Sequence, residues 1–146
     1  MTLYLDTSSL VKLYVAESGS EAVRAHVDRA TIVATSMIAY PETRAALARR
    51  RRERALRPAA FAAAKRKFEE DWPMYVAVQV TEAVCRDAGN LAERYGLRGY
   101  DSVHVASFLE VAREAGAADT EFSSFDDRLN RAARLAGRGG RRGSRR

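Results

Sequence analysis

The sequence predicts an α/β fold, a parallel sheet covered by helices on both faces. Three observations predict it. Short apolar or β-branched runs recur along the chain. Each is followed by a stretch with helical periodicity rather than by a tight hairpin turn, so successive strands must be joined by crossovers. Pro58 stands at the start of one helical stretch, and Gly96, Gly116 and Gly137 at or just beyond the ends of others.

The elements follow in order. Residues 3–5 are a short apolar strand, and residues 8–15 a helix directly after it. Residues 20–28 form a second, polar-faced helix. Residues 31–35 (TIVAT) are β-branched and read as a strand. Residues 36 to about 54 and 58–71 are two helices, with Pro58 suited to a first turn. Their middle is intensely charged, so the pair is expected to project as a hairpin. Residues 75–80 (YVAVQV) place valines at alternate positions, the period of a strand. Thr81 is a plausible cap for a helix that Gly96 ends. A further helix starts at Tyr100 or Asp101 and runs to Ala115. A weaker strand covers 121–124, and a last helix 126–135.

The chain has 146 residues, 47% of them hydrophobic, which is enough for one domain with a real core. No apolar run reaches the length of a membrane span, and the N-terminus lacks a basic segment followed by an apolar one, so a cytoplasmic protein is expected. The single cysteine, Cys85, excludes an internal disulfide and a cysteine-based zinc cluster. It lies within an apolar helical pattern and is expected to be buried and inert. The formal net charge of +6 is uneven, since the last ten residues, GRGGRRGSRR, hold five arginines. Residues 1–136 are therefore read as the domain and 137–146 as a disordered tail that cannot bury enough apolar surface to order itself. A second basic block contains Arg49, Arg50, Arg51 and Arg52. Such blocks bind phosphate backbones by releasing counterions, and they also occur simply as solvated helix ends.

The acids carry the functional signal. In YLDTSSLVKLY, Asp6 closes an apolar strand, where an unpaired carboxylate is costly. Residues three or four apart share a helical face. Glu42 thus lies in a row with Ile38 and Ala45/Ala46, Asp101 heads a row with Val105, Phe108 and Ala112, and Asp126 leads a row with Leu129 and Ala133. Asp127 instead shares a row with Arg131 and Arg134, an exposed, salt-bridged face. Each acid also has a purely structural reading: Asp6, Asp101 and Asp126 as helix caps, Glu42 as an edge residue with a buried stem. Three of the four sit at strand ends or at helix starts after strands, which an α/β fold gathers on the rim where ligands collect. Crowded carboxylates must take up protons, a cationic side chain or a metal. Lys12 is on a different part of its helix from Asp6. A hard divalent cation, Mg²⁺ or Mn²⁺, is the economical answer, needing only one or two direct carboxylates while others hold its waters. In a basic protein, the matching substrate is a phosphodiester. His104, three residues after Asp101, is read as packing or capping rather than as a base. His26 lies on a polar helix. No serine–histidine–acid spacing and no phosphate-binding glycine loop is present.

These segments resemble PIN-domain ribonucleases. YLDTSSLVKLY is similar to the family's opening motif, AYPETRAAL to its second-acid helix, LRGYDSVHVAS to its third-acid motif, and EFSSFDDRLNRAA to its final strand and acid. The subgroup most resembled is the VapC-like toxins of toxin–antitoxin pairs. The resemblance implies a three-layer α/β/α sandwich with a central parallel sheet. It implies a magnesium- or manganese-dependent endoribonuclease, a homodimer restrained by an antitoxin protein, with transfer or ribosomal RNA among its substrates. It implies a catalytic set of Asp6, Glu42, Asp101 and Asp126, with Asp6 and Asp101 as direct metal ligands and Ser8 and Ser124 in support. Where the family commonly has threonine before the last acid, Ser124 stands here and keeps the hydroxyl. Arg49 to Arg52 are candidates for RNA or antitoxin contacts. The arginine-rich tail is outside the family pattern.

Two other readings compete. One is a non-catalytic RNA- or protein-binding module that uses the arginine-rich segments while the acids are caps. The other is a small-molecule phosphatase, disfavoured because D-T-S-S lacks the second aspartate of the D-x-D signature.

Overall fold

A four-stranded, all-parallel sheet of order β3-β2-β1-β4 forms the centre of the computed structural model, which describes residues 1–143. The strands are β1 (Thr2–Leu5), β2 (Ile32–Ser36), β3 (Val76–Val78) and β4 (Thr120–Ser123). All four fall where the sequence predicts them, with residues 79 and 80 left outside β3. β1 is central and buried along its whole length. Leu3 pairs in register with Val33 on one side and Glu121 on the other.

Alternation along β1 separates two cores. Leu3 and Leu5 pack with Leu10, Val23, Ala39 and Phe68. That face is covered by α1 (Thr7–Val11), α2 (Ser20–Arg29), α3 (Ala39–Arg52) and α4 (Pro58–Asp71). Tyr4 points the other way, among Ala34, Phe108, Val111, Ala112 and Ala133. This second face is covered by α5 (Glu82–Tyr95), α6 (Gly99–Ala115) and α7 (Asp127–Gly143). The result is the expected three-layer sandwich. Among the described residues no helix is long and apolar enough to cross a membrane.

Local chemistry sets several boundaries as expected. Thr81 caps α5 by accepting from the Val84 amide at 3.2 Å, and Gly96 ends that helix at φ 64°, a left-handed conformation that glycine adopts without cost.

Other expectations are corrected. The α3–α4 pair does not project. Leu47 and Ala64 pack with Val11 and Val15, and Phe68 is wholly buried against the sheet, while residues 51–60, the tip of the pair, are exposed apart from Leu56. Cys85 is exposed, because the buried stripe of α5 runs through Val84 and Ala88, one residue to the side. Asp127 makes no ion pair with Arg131 or Arg134 among the described residues. The last helix continues past Leu135 to Gly143, so residues 137–143 are helical rather than part of a disordered tail. Leu129, Ala132, Ala133 and Ala136 anchor its inner face, and arginines, good helix formers, fill the outer one. Residues 144–146 of that expected tail lie outside the described residues.

Gly19 precedes α2 at φ 91°, and a Cβ there would stand 2.5 Å from the Phe125 ring and 3.3 Å from the Lys12 side chain. Gly19→Ala is expected to cost about 1–3 kcal/mol through both the backbone conformation and the clash, read as a lowered midpoint in denaturant.

Candidate active site

The chain steps from β1 outward to β2 and β3, then returns to place β4 on the opposite side of β1. α1 leaves β1 over one face and α7 leaves β4 over the other. The carboxyl ends of β1 and β4 mark the topological switch point of the sheet, the usual ligand position in this class of fold.

Asp6 lies at that point. Its carboxylate is only 4% exposed, and its solvation is replaced by three donors. Oδ1 accepts from the Ser8 hydroxyl at 2.7 Å and the Ser9 amide at 3.0 Å, and Oδ2 accepts from the Ser124 hydroxyl at 2.6 Å. Asp6 is therefore the cap of α1, yet it faces no cation in an ion pair among the described residues. Ser124 follows β4, and its oxygen accepts in turn from the Asp126 amide at 3.0 Å, while the Ser8 oxygen accepts from the Phe125 amide at 3.0 Å. Asp126 Oδ1 caps α7 by accepting from the Arg128 and Leu129 amides at 2.9 and 3.2 Å. Two hydroxyls thus lace the end of β1 to the start of α7, across more than a hundred residues of sequence.

A second network holds Glu42, one turn into α3. Its Oε1 accepts from the Thr7 hydroxyl at 2.6 Å and lies 2.8 Å from His104 Nε2. His104 Nδ1 is 2.9 Å from the Tyr4 hydroxyl, and the ring is 2% exposed. A carboxylate only accepts, so Nε2 carries the proton toward Glu42 and Nδ1 accepts from Tyr4. Burial raises the Tyr4 pKa well above the ordinary phenol value, which keeps that hydroxyl a donor. Thr7 adjoins Asp6 in sequence, so the two networks share one rim.

Asp101 joins them electrically. It sits in the first turn of α6 and does not cap it. Its carboxylate has no hydrogen bond among the described residues. Its pKa is raised, first by burial and next by the negative charge of Asp126, with Asp6 adding to the effect and Arg98 and His104 opposing it. The mutual repulsion expected of gathered acids is thus present at Asp101.

All four acids from four distant segments converge on this rim, Asp6, Asp101 and Asp126 through their charges and Glu42 through Thr7 and His104. The cap readings hold for Asp6 and Asp126, which are caps as well, and fail for Asp101. Among the described residues no group of three or more His, Cys, Asp or Glu side chains encloses a metal position outright. The donors nonetheless fit a hard cation: they are carboxyl oxygens, and Asp6, Asp101 and Asp126 make no ion pair among the described residues. Arg49 to Arg52 lie at the far end of α3 from Glu42, about 10–15 Å along the helix. Arg49 pairs with Glu53, Arg50 with Glu17, and Arg51 lies over the Phe61 ring, which leaves Arg52 the unpaired one. Lys12 is likewise engaged, with Glu17.

Thr7, Tyr4 and the donor role of His104 are what sequence reasoning missed. The signal for Thr7 was its place beside Asp6. His104 sat beside the Asp101 row without clearly belonging to it, and Tyr4 alternates away from Leu3 and Leu5, toward the α6 side.

Comparisons with known proteins identify the family and the fold. The model of the PIN domain matches residues 3–135. Two curated proteins of Mycobacterium tuberculosis, Ribonuclease VapC45 and Ribonuclease VapC49, are each 38% identical over 135 residues, covering 92% of this chain and 91% of theirs. Among solved structures, FitAcB from Neisseria gonorrhoeae superposes with a TM-score of 0.66 at 18% identity, over 90% of this chain and 93% of that one, a likeness of fold.

Proposed function

Because the chain belongs to the PIN-domain family, we propose that it is a metal-dependent endoribonuclease that hydrolyses RNA phosphodiester bonds at the Asp6, Glu42, Asp101 and Asp126 rim. The observation that carries this reading is the gathering of acids from distant segments, with Asp101 raised in pKa first by burial and next by the charge of Asp126, while Asp6, Asp101 and Asp126 face no ion-paired cation among the described residues. Asp6 and Asp101 would hold Mg²⁺ or Mn²⁺, with Glu42 and Asp126 holding its waters. Such an ion, when bound, lowers the pKa of a water and stabilises charge on a phosphoryl oxygen.

The chain's own contribution is preorganisation. Ser8, Ser9 and Ser124 fix both oxygens of Asp6. His104 and Thr7 hold one oxygen of Glu42, leaving the other to orient a water or ligand. Asp126 spends Oδ1 on its helix cap and has Oδ2 available. The backbone of a polyanion needs cations nearby, and the outer face of α7 supplies Arg128, Arg131, Arg134 and Arg138, all exposed and without ion pairs among the described residues. In this reading the chain acts as the toxin of a toxin–antitoxin pair, a homodimer restrained by a small antitoxin protein. Its curated VapC relatives support that role.

The test compares transfer and ribosomal RNA with small phosphoesters, with Mg²⁺, Mn²⁺ or a chelator. Cleavage of RNA that requires the metal is expected, with little turnover of small esters. RNA binding without cleavage under any metal would instead make the chain a binding module.

A further inference from the structure

The exposed aromatic side chains occupy a telling position. Among the described residues, Tyr100 at 68% and Phe125 at 49% are the aromatics among the exposed large hydrophobic groups. Each immediately precedes a rim acid, Tyr100 before Asp101 and Phe125 before Asp126. Each also has an exposed arginine within three residues, Arg98 and Arg128. Burying neither ring costs the fold the apolar surface that Tyr4, Phe68 and Phe122 contribute inside it.

Phe125 is moreover held, not loose. Its amide donates to Ser8, the residue that donates to Asp6; Gly19 leaves room against one edge of the ring, and the Lys12 ammonium sits 4.5 Å from its centre. Tyr100 lies in the first turn of α6. Two exposed rings are thus carried on the same backbone turns as two rim acids, with Lys12 over one side of Phe125. Unstacked bases use such surfaces, whereas bases inside a duplex present no free face to them.

We propose that Tyr100 and Phe125 are stacking platforms for bases of an RNA strand that crosses the acidic rim. This rests on the ribonuclease reading for its substrate, but its test does not need cleavage. The exposed arginines near them in sequence, Arg98 and Arg128, can meet the phosphates of the same strand, and the arginine face of α7 continues from the Phe125 side.

The experiment measures binding of a labelled mixed-sequence single-stranded oligoribonucleotide, and of a duplex of equal length, to the full chain carrying Asp101→Asn. Tyr100→Ala and Phe125→Ala are each expected to weaken single-strand binding by roughly 5- to 150-fold. Tyr100→Phe and Phe125→Trp, which keep a ring, are expected to stay within about threefold of the parent, so a loss caused by misfolding is recognised by failure of these variants too. Duplex binding, carried by phosphate contacts, is expected to respond little to any of the four. Unchanged single-strand binding in both alanine variants would overturn the proposal, as it would if the rings served a protein partner instead. Equal losses for duplex and single strand would also overturn it. Failure of the ribonuclease reading would show separately, as absence of metal-dependent cleavage by the unsubstituted chain.

Discussion

Asp101→Asn is expected to lower RNA cleavage about a thousandfold or more while leaving the metal-free protein as stable as the parent or more so. The activity loss follows from removing one of two carboxylates proposed to hold the ion, whose contribution to phosphoryl chemistry is several kcal/mol. The stability gain follows from electrostatics. Asp101 is partly buried and repelled by Asp126 and Asp6, so folding raises its pKa above the ordinary value of 3.8. A carboxyl raised in this way stabilises the fold below its ordinary range and loses that contribution as pH rises through the folded value. The metal-free parent should therefore lose stability between roughly pH 4 and the folded pKa of Asp101, and Asp101→Asn should flatten that slope. Thermal melts across pH 4–7 in a chelator, beside cleavage assays in Mg²⁺, measure both effects. A variant that loses activity and stability together would mean that Asp101 is structural.

His104→Ala is expected to be the most destabilising single change on the rim. The ring is 2% exposed and satisfies two groups at once, Tyr4 at Nδ1 and Glu42 at Nε2. Deleting it opens a cavity and strands the buried Tyr4 hydroxyl. A cavity of that size together with an unpaired buried donor costs about 3–5 kcal/mol. For a domain of this size the melting temperature should fall by roughly 8–20 °C. Glu42 would keep only Thr7, so residual folded protein should also cleave more slowly. Because His104 and Glu42 act through one bond, combining His104→Ala with Glu42→Gln should cost less activity than the two losses added. Full additivity would place the histidine outside the working of the acid.

Much of this site was legible before folding, for a specific physical reason. Asp6, Glu42, Asp101 and Asp126 each interrupt an apolar row, and a charge on a buried face has to be answered by something. For Asp6, Glu42 and Asp126 the gathering follows from strand–helix alternation, because a parallel sheet sends every strand exit to the same rim, whereas Asp101 heads α6 directly after α5 and owes its place to helix packing. What was not legible depends on side-chain direction across long separations. Nothing local in the sequence ties Tyr4 to His104, a hundred residues on, or His104 to Glu42. The misplacement of Cys85 has the same origin, since one position of helical rotation separates it from the buried Val84 stripe. The end of α7 was misjudged because glycine and arginine composition argued for disorder, while the inward Leu129, Ala132, Ala133 and Ala136 continue a helical stripe. The basic block on α3 shows the limit of charge counting. Most of its arginines are engaged within the fold, whereas those on α7 are not.

The most direct measurement is calorimetric titration of Mn²⁺ into the unsubstituted chain, Asp6→Asn and Asp101→Asn, each verified as folded. The account predicts saturable binding to the unsubstituted chain that either asparagine abolishes or weakens at least tenfold. Equal binding by all three, or none by the unsubstituted chain while it still cleaves RNA in a chelator, would contradict it.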